Sequence, residues 1–332
     1  MAKLTLTYGG ERHFDRTHAL ETGEVAPQGI DLIFVGVGAR ELFRRMARYG
    51  EFDVAEMSVS TLAMMISRGD DRLVGLPFFP SRHFRHRQIY VNVDSGIERP
   101  EDLVGKRVGV PDYQMTAALW IRAFLQHDHG VLPDQLEWLY GGLNGAAEFA
   151  ERLAHEAPPG VSLTPIAPGT TLGEMLDDGR LDAVFASQPP RQFREGSPRI
   201  RRLFTDYRRV EREYYERTGF YPIMHTIVLR RDVYEANRWA AVSLFEAFVE
   251  SRRVGLRALL EPDVPPVTHP WWHDEIDEVL GLFGGDPFRG GFRNNLPILE
   301  AMTRYSGEQG LTVRAVHPRE LFAPEVLDIE VP

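Results

Sequence analysis

Cysteine is absent from the 332 residues. That removes disulfides, thiolate metal sites and cysteine nucleophiles, and leaves any chemistry to His, Asp, Glu, Arg, Tyr, Ser and Thr. No stretch reaches the roughly 20 consecutive apolar residues needed to span a bilayer, so no membrane partner is expected. Positive charge is in deficit, with 38 Lys and Arg against 48 Asp and Glu and a net charge of -10. A general nucleic-acid surface is therefore not expected. No apolar leader region precedes the first strand pattern, MAKLTLTYGG, and a cytoplasmic location is the expectation. There is no short internal repeat and no low-complexity tail. The glycine turn Gly141 to Gly145 lacks a following Lys-Ser or Lys-Thr, and no GxSxG element appears, so neither a phosphate loop nor a serine hydrolase is indicated.

Against that background one stretch stands out. FFPSRHFRHRQIYVN, from Phe78 to Asn92, gathers Arg82, His83, Arg85, His86 and Arg87 within six positions of an acidic chain. Such a cluster is either a solvated, ion-paired edge or a site for an anion. Phe79, Pro80 and Phe84, interleaved with the cations, favour a shaped and partly dry loop.

Along the rest of the chain, strand patterns alternate with helical ones, which argues for parallel-rich sheets. Strands are expected at Leu4 to Tyr8, Ile30 to Val35, Phe52 to Glu56 and Leu73 to Phe78, with Asp15 and Ser58 as helix caps. After Asn92 the alternation restarts. Its elements include a strand at Arg107 to Val110, a long helix after Asp112 to Met115 and a helix running to about His155. Pro222 to Leu229 reads as a strand returning to the first lobe, and the remainder is mostly helical. The expected organisation is α/β: a discontinuous lobe I of residues 1–93 and 220–332, a lobe II of 94–219, two crossing strands and a ligand cleft between the lobes. Ligands in such folds sit at carboxyl ends of strands, near helix N-termini. That rule collects Tyr8, Arg16, Glu56 and Ser58 from lobe I, Arg82 to His86 and His225 from the crossings, and Tyr113 to Thr116 and Ser187 from lobe II.

The segments IERPEDLVGKRVGVPDYQMTAALW and LGEMLDDGRLDAVFA resemble the second lobe of type II periplasmic-binding-protein folds. FDVAEMSVST, FPSRHFRHRQIYVN, GVPDYQMTAALWIR and YPIMHTIVLRRDVYE, with HPRELFAPE near the end, together resemble the 4,5-dihydroxyphthalate decarboxylase family. The resemblance implies a two-lobed type II periplasmic-binding-protein-like fold, with two mixed sheets flanked by helices. It also implies an enzyme of aromatic-acid breakdown that removes one carboxylate to give protocatechuate. GERHF at Gly10 to Phe14 and SQPPR at Ser187 to Arg191 depart from the family pattern, which points to the same acid or a related one.

Direct loss of CO2 from an aryl carboxylate would leave an unstable aryl anion. A hydroxyl para to the carboxylate opens a route through ring-carbon protonation. This needs an acid over the ring carbon, an acceptor at the phenol and cations for the second carboxylate. His86 and His225 are the expected proton carriers, with their roles left open. Glu56 either sets a histidine tautomer, accepts a catechol proton or pairs with Arg82 or Arg85. Arg82 and Arg85 are expected to clamp carboxylates. Arg16, His83, Ser58, Tyr113, Gln114, Met115, Thr116 and Ser187 complete the expected substrate site, with donors at a helix start. No cofactor is expected. His269 and His273 have i, i+4 spacing but read as a helix start with aromatic packing, and His127 and His129 as a helix end, so no metal is predicted. The partner is a small aromatic dicarboxylate, and homo-oligomerisation is left open. The competing reading is a solute-binding protein for an aromatic or dicarboxylic acid.

Overall fold

The computed structural model describes residues 3–145, 157–261 and 268–331. The chain divides into two compact units: Met1–Arg82, Ile223–Glu300 and Val316–Pro332 form the first, His83–Pro222 and Ala301–Ala315 the second.

Strands β1 (Leu4–Gly10), β2 (Ile30–Gly36), β3 (Val54–Ser58) and β4 (Leu73–Arg82) alternate with helices α1 (His18–Thr22), α2 (Ala39–Tyr49) and α3 (Val59–Ser67). The second unit follows, with β5 (Ile89–Asn92), β6 (Arg107–Val110), α4 (Thr116–His129), β7 (Glu137–Tyr140), β8 (Leu163–Pro165), α5 (Leu172–Asp177), β9 (Ala183–Phe185), α6 (Arg191–Arg194), β10 (Ile200–Arg202) and α7 (Tyr207–Thr218). Strand β11 (Ile223–Arg230) then re-enters the first unit, and α8 (Arg231–Ala236), α9 (Arg238–Leu260), α10 (Trp272–Phe283) and α11 (Phe292–Glu308) close the chain.

The sheet of the first unit has the order β2-β1-β3-β11-β4. β1 is parallel to β2 and β3, while β11 runs antiparallel to both β3 and β4. The carboxyl ends of β1, β3 and β4 therefore lie along one edge, together with the start of β11. Every residue of β3 and β4 is buried, as expected of central strands covered on both faces. Helix α9 supplies Ala240, Leu244, Phe245 and Phe248 to a core that includes Tyr8, Val54, Leu76, Phe78, Ile227 and Leu229.

The second sheet has the order β10-β5-β9-β6-β7-β8 and is also mixed. Its core joins Tyr90, Leu172, Leu176, Leu181, Val184 and Ile200. The capping box of Thr171 and Glu174 starts α5, with the Thr171 hydroxyl accepting from the Glu174 N–H.

Four expectations need revision. β4 continues past Phe78 to Arg82, because β11 pairs along its whole length. Helix α1 begins at His18, not near Asp15, whose carboxylate is held by Arg16 and Arg252 instead of capping. β5 pairs with β9 and β10, so the division falls at Arg82/His83 and not at residue 93. Residues Ala301–Ala315 go with the second unit and not with the first lobe, the expected home of residues 220–332. The helix expected to reach His155 lies outside the described residues.

Candidate active site

The carboxyl-end edge of the first sheet places several candidate residues side by side. In the register of β11 against β3, His225 is opposite Ser58 and Ile227 is opposite Glu56. Directly opposed residues share a face, as do residues two apart, so Glu56 reaches His225 on the diagonal. Its Oε1 lies 2.5 Å from Nδ1 of His225. A carboxylate oxygen only accepts, so Nδ1 is the donor and Nε2 is the ring nitrogen left to face other partners. Glu56 is 1% exposed and His225 19%, which leaves the imidazole reachable while its partner is dry. Oε2 of Glu56 is buried with no hydrogen-bond partner among the described residues. Phe43 of α2 meets the imidazole edge-on, centroids 4.7 Å apart, and fixes the ring plane from one side. Tyr8 is fully buried, and burial followed by the Glu56 charge pushes its phenol well above the ordinary value, so it stays neutral.

Ser58 is also the N-cap of α3. Its Oγ accepts from the Thr61 N–H at 3.4 Å and from the Thr61 hydroxyl at 3.1 Å. A substrate contact from Ser58 therefore competes with a helix cap.

Arg82 ends β4, opposite Ile223, and is buried. Its guanidinium donates to the side-chain oxygen of Asn295 and to the Arg289 carbonyl at 3.4 Å, and lies 5.1 Å from the Phe79 ring centre. Arg16 is clasped between the Phe14 and Phe288 rings at 4.4 and 4.3 Å, and donates to the Pro80 carbonyl and the Asp15 carboxylate at 2.5 Å each. Behind it Arg252 bridges Asp15 and Asp286, donating to Asp286 at 2.5 Å. The first unit thus brings together Glu56, Ser58, Arg82 and His225, with Arg16 anchored to the end of β4.

The other candidates belong to the second unit. His86 is 3% exposed and stacks on Phe124 at 4.0 Å, with Phe204 at 5.5 Å and Tyr214 at 5.0 Å around it. Burial, reinforced by His129 and Arg217, pushes its pKa down to about 3. Burial thus keeps the imidazole neutral and enclosed by aromatic rings, with Nδ1 buried and without a hydrogen-bond partner among the described residues. The surroundings of His86 are those of a packing residue, unlike the reachable imidazole expected of a proton carrier. Arg85 is fully buried, and burial with the neighbouring Arg87 pushes its pKa down to about 10, partly offset by Tyr221 and Glu211, so it remains a cation. His83 is exposed, with its N–H donating to the Pro222 carbonyl at 3.0 Å. Ser187 is exposed just beyond β9. Thr116 begins α4 with Met115 at the cap position, while Asp112 accepts from the Gln114 N–H at 3.1 Å.

Two participants carried no local sequence signal. Asn295 reaches Arg82 from 213 residues away. Arg122, on α4, is 1% exposed, with its guanidinium 3.8 Å from the Tyr113 ring centre and its Nε donating to Gln309 at 2.8 Å. It reads as one polar residue in the otherwise apolar run 117–125.

No family model matches the chain. A 4,5-dihydroxyphthalate decarboxylase of Comamonas testosteroni is 35% identical over 328 residues, covering 99% of each chain. Another, of Pseudomonas putida, is 35% identical over 220 residues, 66% of this chain and 84% of that one. Among solved structures, the periplasmic aliphatic sulphonate binding protein of Escherichia coli matches with a TM-score of 0.55 at 13% identity, over 98% of this chain and 99% of that one. A Candida albicans protein, described as having the generic periplasmic-binding-protein fold, matches with a TM-score of 0.50 at 12% identity, over 99% of each chain. At such identities the structural likenesses speak for the fold alone, and they agree with the expected periplasmic-binding-protein architecture. Sequence identity along nearly the whole length carries the assignment further: the chain belongs to the 4,5-dihydroxyphthalate decarboxylase family.

Proposed function

We propose that this protein is a carboxy-lyase that converts 4,5-dihydroxyphthalate, or a closely related hydroxylated aromatic dicarboxylic acid, to the monocarboxylic catechol and CO2. The observation that carries the chemistry is the Glu56–His225 pair, buried on one side and reachable on the other.

In this reading Nε2 of His225 is the proton-transfer atom. Loss of the phenol proton para to the departing carboxylate pushes an electron pair to the ring carbon that bears it. That carbon takes a proton, giving a dienone. The bond to the carboxylate then breaks, its electrons restore the aromatic ring, CO2 leaves, and the phenolate oxygen so formed takes a proton back. The net change is one proton taken up and one CO2 released. Glu56 holds the imidazole tautomer and stabilises the imidazolium formed in passing. Arg82 is proposed to hold a carboxylate, oriented for it by Asn295. Arg16, Ser58, Arg85, His83, Tyr113, Gln114, Met115, Thr116 and Ser187 remain proposed substrate contacts.

The test is CO2 release and product identity on mixing the protein with 4,5-dihydroxyphthalate, beside His225→Ala and Glu56→Gln variants. Turnover that collapses in His225→Ala supports the assignment. Saturable binding of the acid without CO2 would support a solute-binding role, and full turnover in His225→Ala would remove the histidine from the chemistry.

A further inference from the structure

The loop Glu11 to Thr17 joins β1 to α1. Three of its neighbours converge in a way that the reaction above does not use. His18 and Glu21 stand one turn apart on α1 and so share a helix face. His18 Nδ1 lies 3.3 Å from Glu21 Oε2. The same Oε2 accepts the His13 N–H at 3.1 Å, which draws the loop back over the helix. His13 takes φ of 63°, the positive-φ region that non-glycine residues seldom adopt. One ligand atom from each of His13, His18 and Glu21 lies within 4.8 Å of the other two.

We propose that His13, His18 and Glu21 form a binding site for one divalent transition-metal cation of the zinc class, with its remaining coordination positions open to water. Two imidazoles and one carboxylate are the donor set of open zinc sites, whereas calcium and magnesium prefer all-oxygen shells. Ligands about 2.1 Å from a tetrahedral ion stand about 3.4 Å apart, so the His18 to Glu21 spacing already fits. The His13 ring must close by about 1.4 Å at most, and both histidines are exposed and can rotate. Arg12 donates to the other carboxylate oxygen, Oε1, at 3.1 Å, which orients Glu21 and leaves Oε2 for the ion. A plain ion pair would explain His18 beside Glu21. It does not explain the second imidazole, whose ring nitrogens make no hydrogen bond among the described residues.

The proposal does not depend on the decarboxylase reading, and its test reads binding alone. Zn2+ is titrated calorimetrically into the full-length, chelator-stripped protein, and Co2+ is added separately for its visible absorption. One equivalent is expected to bind with Kd of about 10 μM or tighter. His18→Ala and Glu21→Gln should each weaken it at least roughly tenfold, whereas His273→Ala should not. His13→Gly is the decisive variant, because glycine keeps the positive-φ turn and removes only the imidazole. It should fold as the parent does and lose the Co2+ absorption bands. Absence of saturable Zn2+ binding, or an equivalent retained undiminished in both His13→Gly and His18→Ala, would overturn the proposal.

Discussion

His86 lies almost flat against Phe124, ring planes 19° apart and centroids separated by 4.0 Å. The stacked ring makes a prediction about acid stability. Its folded pKa, about 3, is below the unfolded value of about 6.5. The stability it contributes is therefore present above pH 6.5 and is lost as the pH falls towards 3. Glu211 has the opposite sign: burial raises it to about 6, so folding is favoured as the pH falls from 6 towards its unfolded value. The two slopes oppose each other in the parent but not in a difference between variants. Urea midpoints measured from pH 7.5 to 4.5 should show the parent losing up to about 1.4 kcal/mol per pH unit relative to His86→Leu. Parallel curves would mean that His86 titrates normally.

Replacing Glu56 by Gln keeps the shape of the pair but removes the negative charge and offers Nδ1 an amide donor as readily as an amide oxygen, so the imidazole tautomer is no longer fixed. Turnover number should fall by about 10² to 10⁴, with much less change in KM. A change confined to KM would make Glu56 a binding residue only.

Asn295→Ala withdraws the side-chain oxygen that receives the Arg82 guanidinium. Leaving a buried charged donor short of a partner costs about 1–3 kcal/mol of stability. If Arg82 holds a substrate carboxylate, KM should also rise, and Arg82→Lys should raise it further because an ammonium cannot bind bidentately. Steady-state kinetics alongside thermal melts would separate the effects; unchanged KM in both variants would take Arg82 out of the site.

At Gly255, within α9, an added methyl would stand 1.9 Å from the Asp15 carbonyl oxygen. Backbone cannot yield as a flexible side chain does, so Gly255→Ala should displace the Asp15 loop and lower stability by about 1–3 kcal/mol. The displacement should reach Arg16, next in the chain and bonded to Asp15. A thermal melt identical to that of the parent would show that the loop moves aside without cost.

How far the site could be read from sequence depended on how local each relationship was. Glu56 and Ser58 on one strand, and His225 on a strand predicted to return beside it, required only the two-residue period of a sheet. The packed surroundings of His86 were not legible, because residues two or three apart in a cationic run look alike on paper. What separates them is an aromatic enclosure of Phe124, Phe204 and Tyr214, contributed by distant segments. Asn295 and Gln309 were invisible for the same reason: each meets its arginine only after the chain has folded. The boundary at Arg82 was misplaced because β5 has the same alternating pattern whichever sheet it joins. Only its pairing with β9 and β10 decides the matter.

The chain passes from one unit to the other at 82/83, back at 222/223, over again within α11 and back at 315/316. Neither unit is a continuous stretch, and this constrains how the protein emerges from the ribosome. Residues 83–222 leave the exit tunnel before Gln309, so the Nε of Arg122 waits for its acceptor until 187 further residues have been added. The first sheet waits longer still, for Phe322 and Ala323 to lie against Gly75. Maturation of both halves is thus deferred until segments far downstream have been made, and a premature stop before codon 309 would leave two unfinished bodies rather than one intact and one missing.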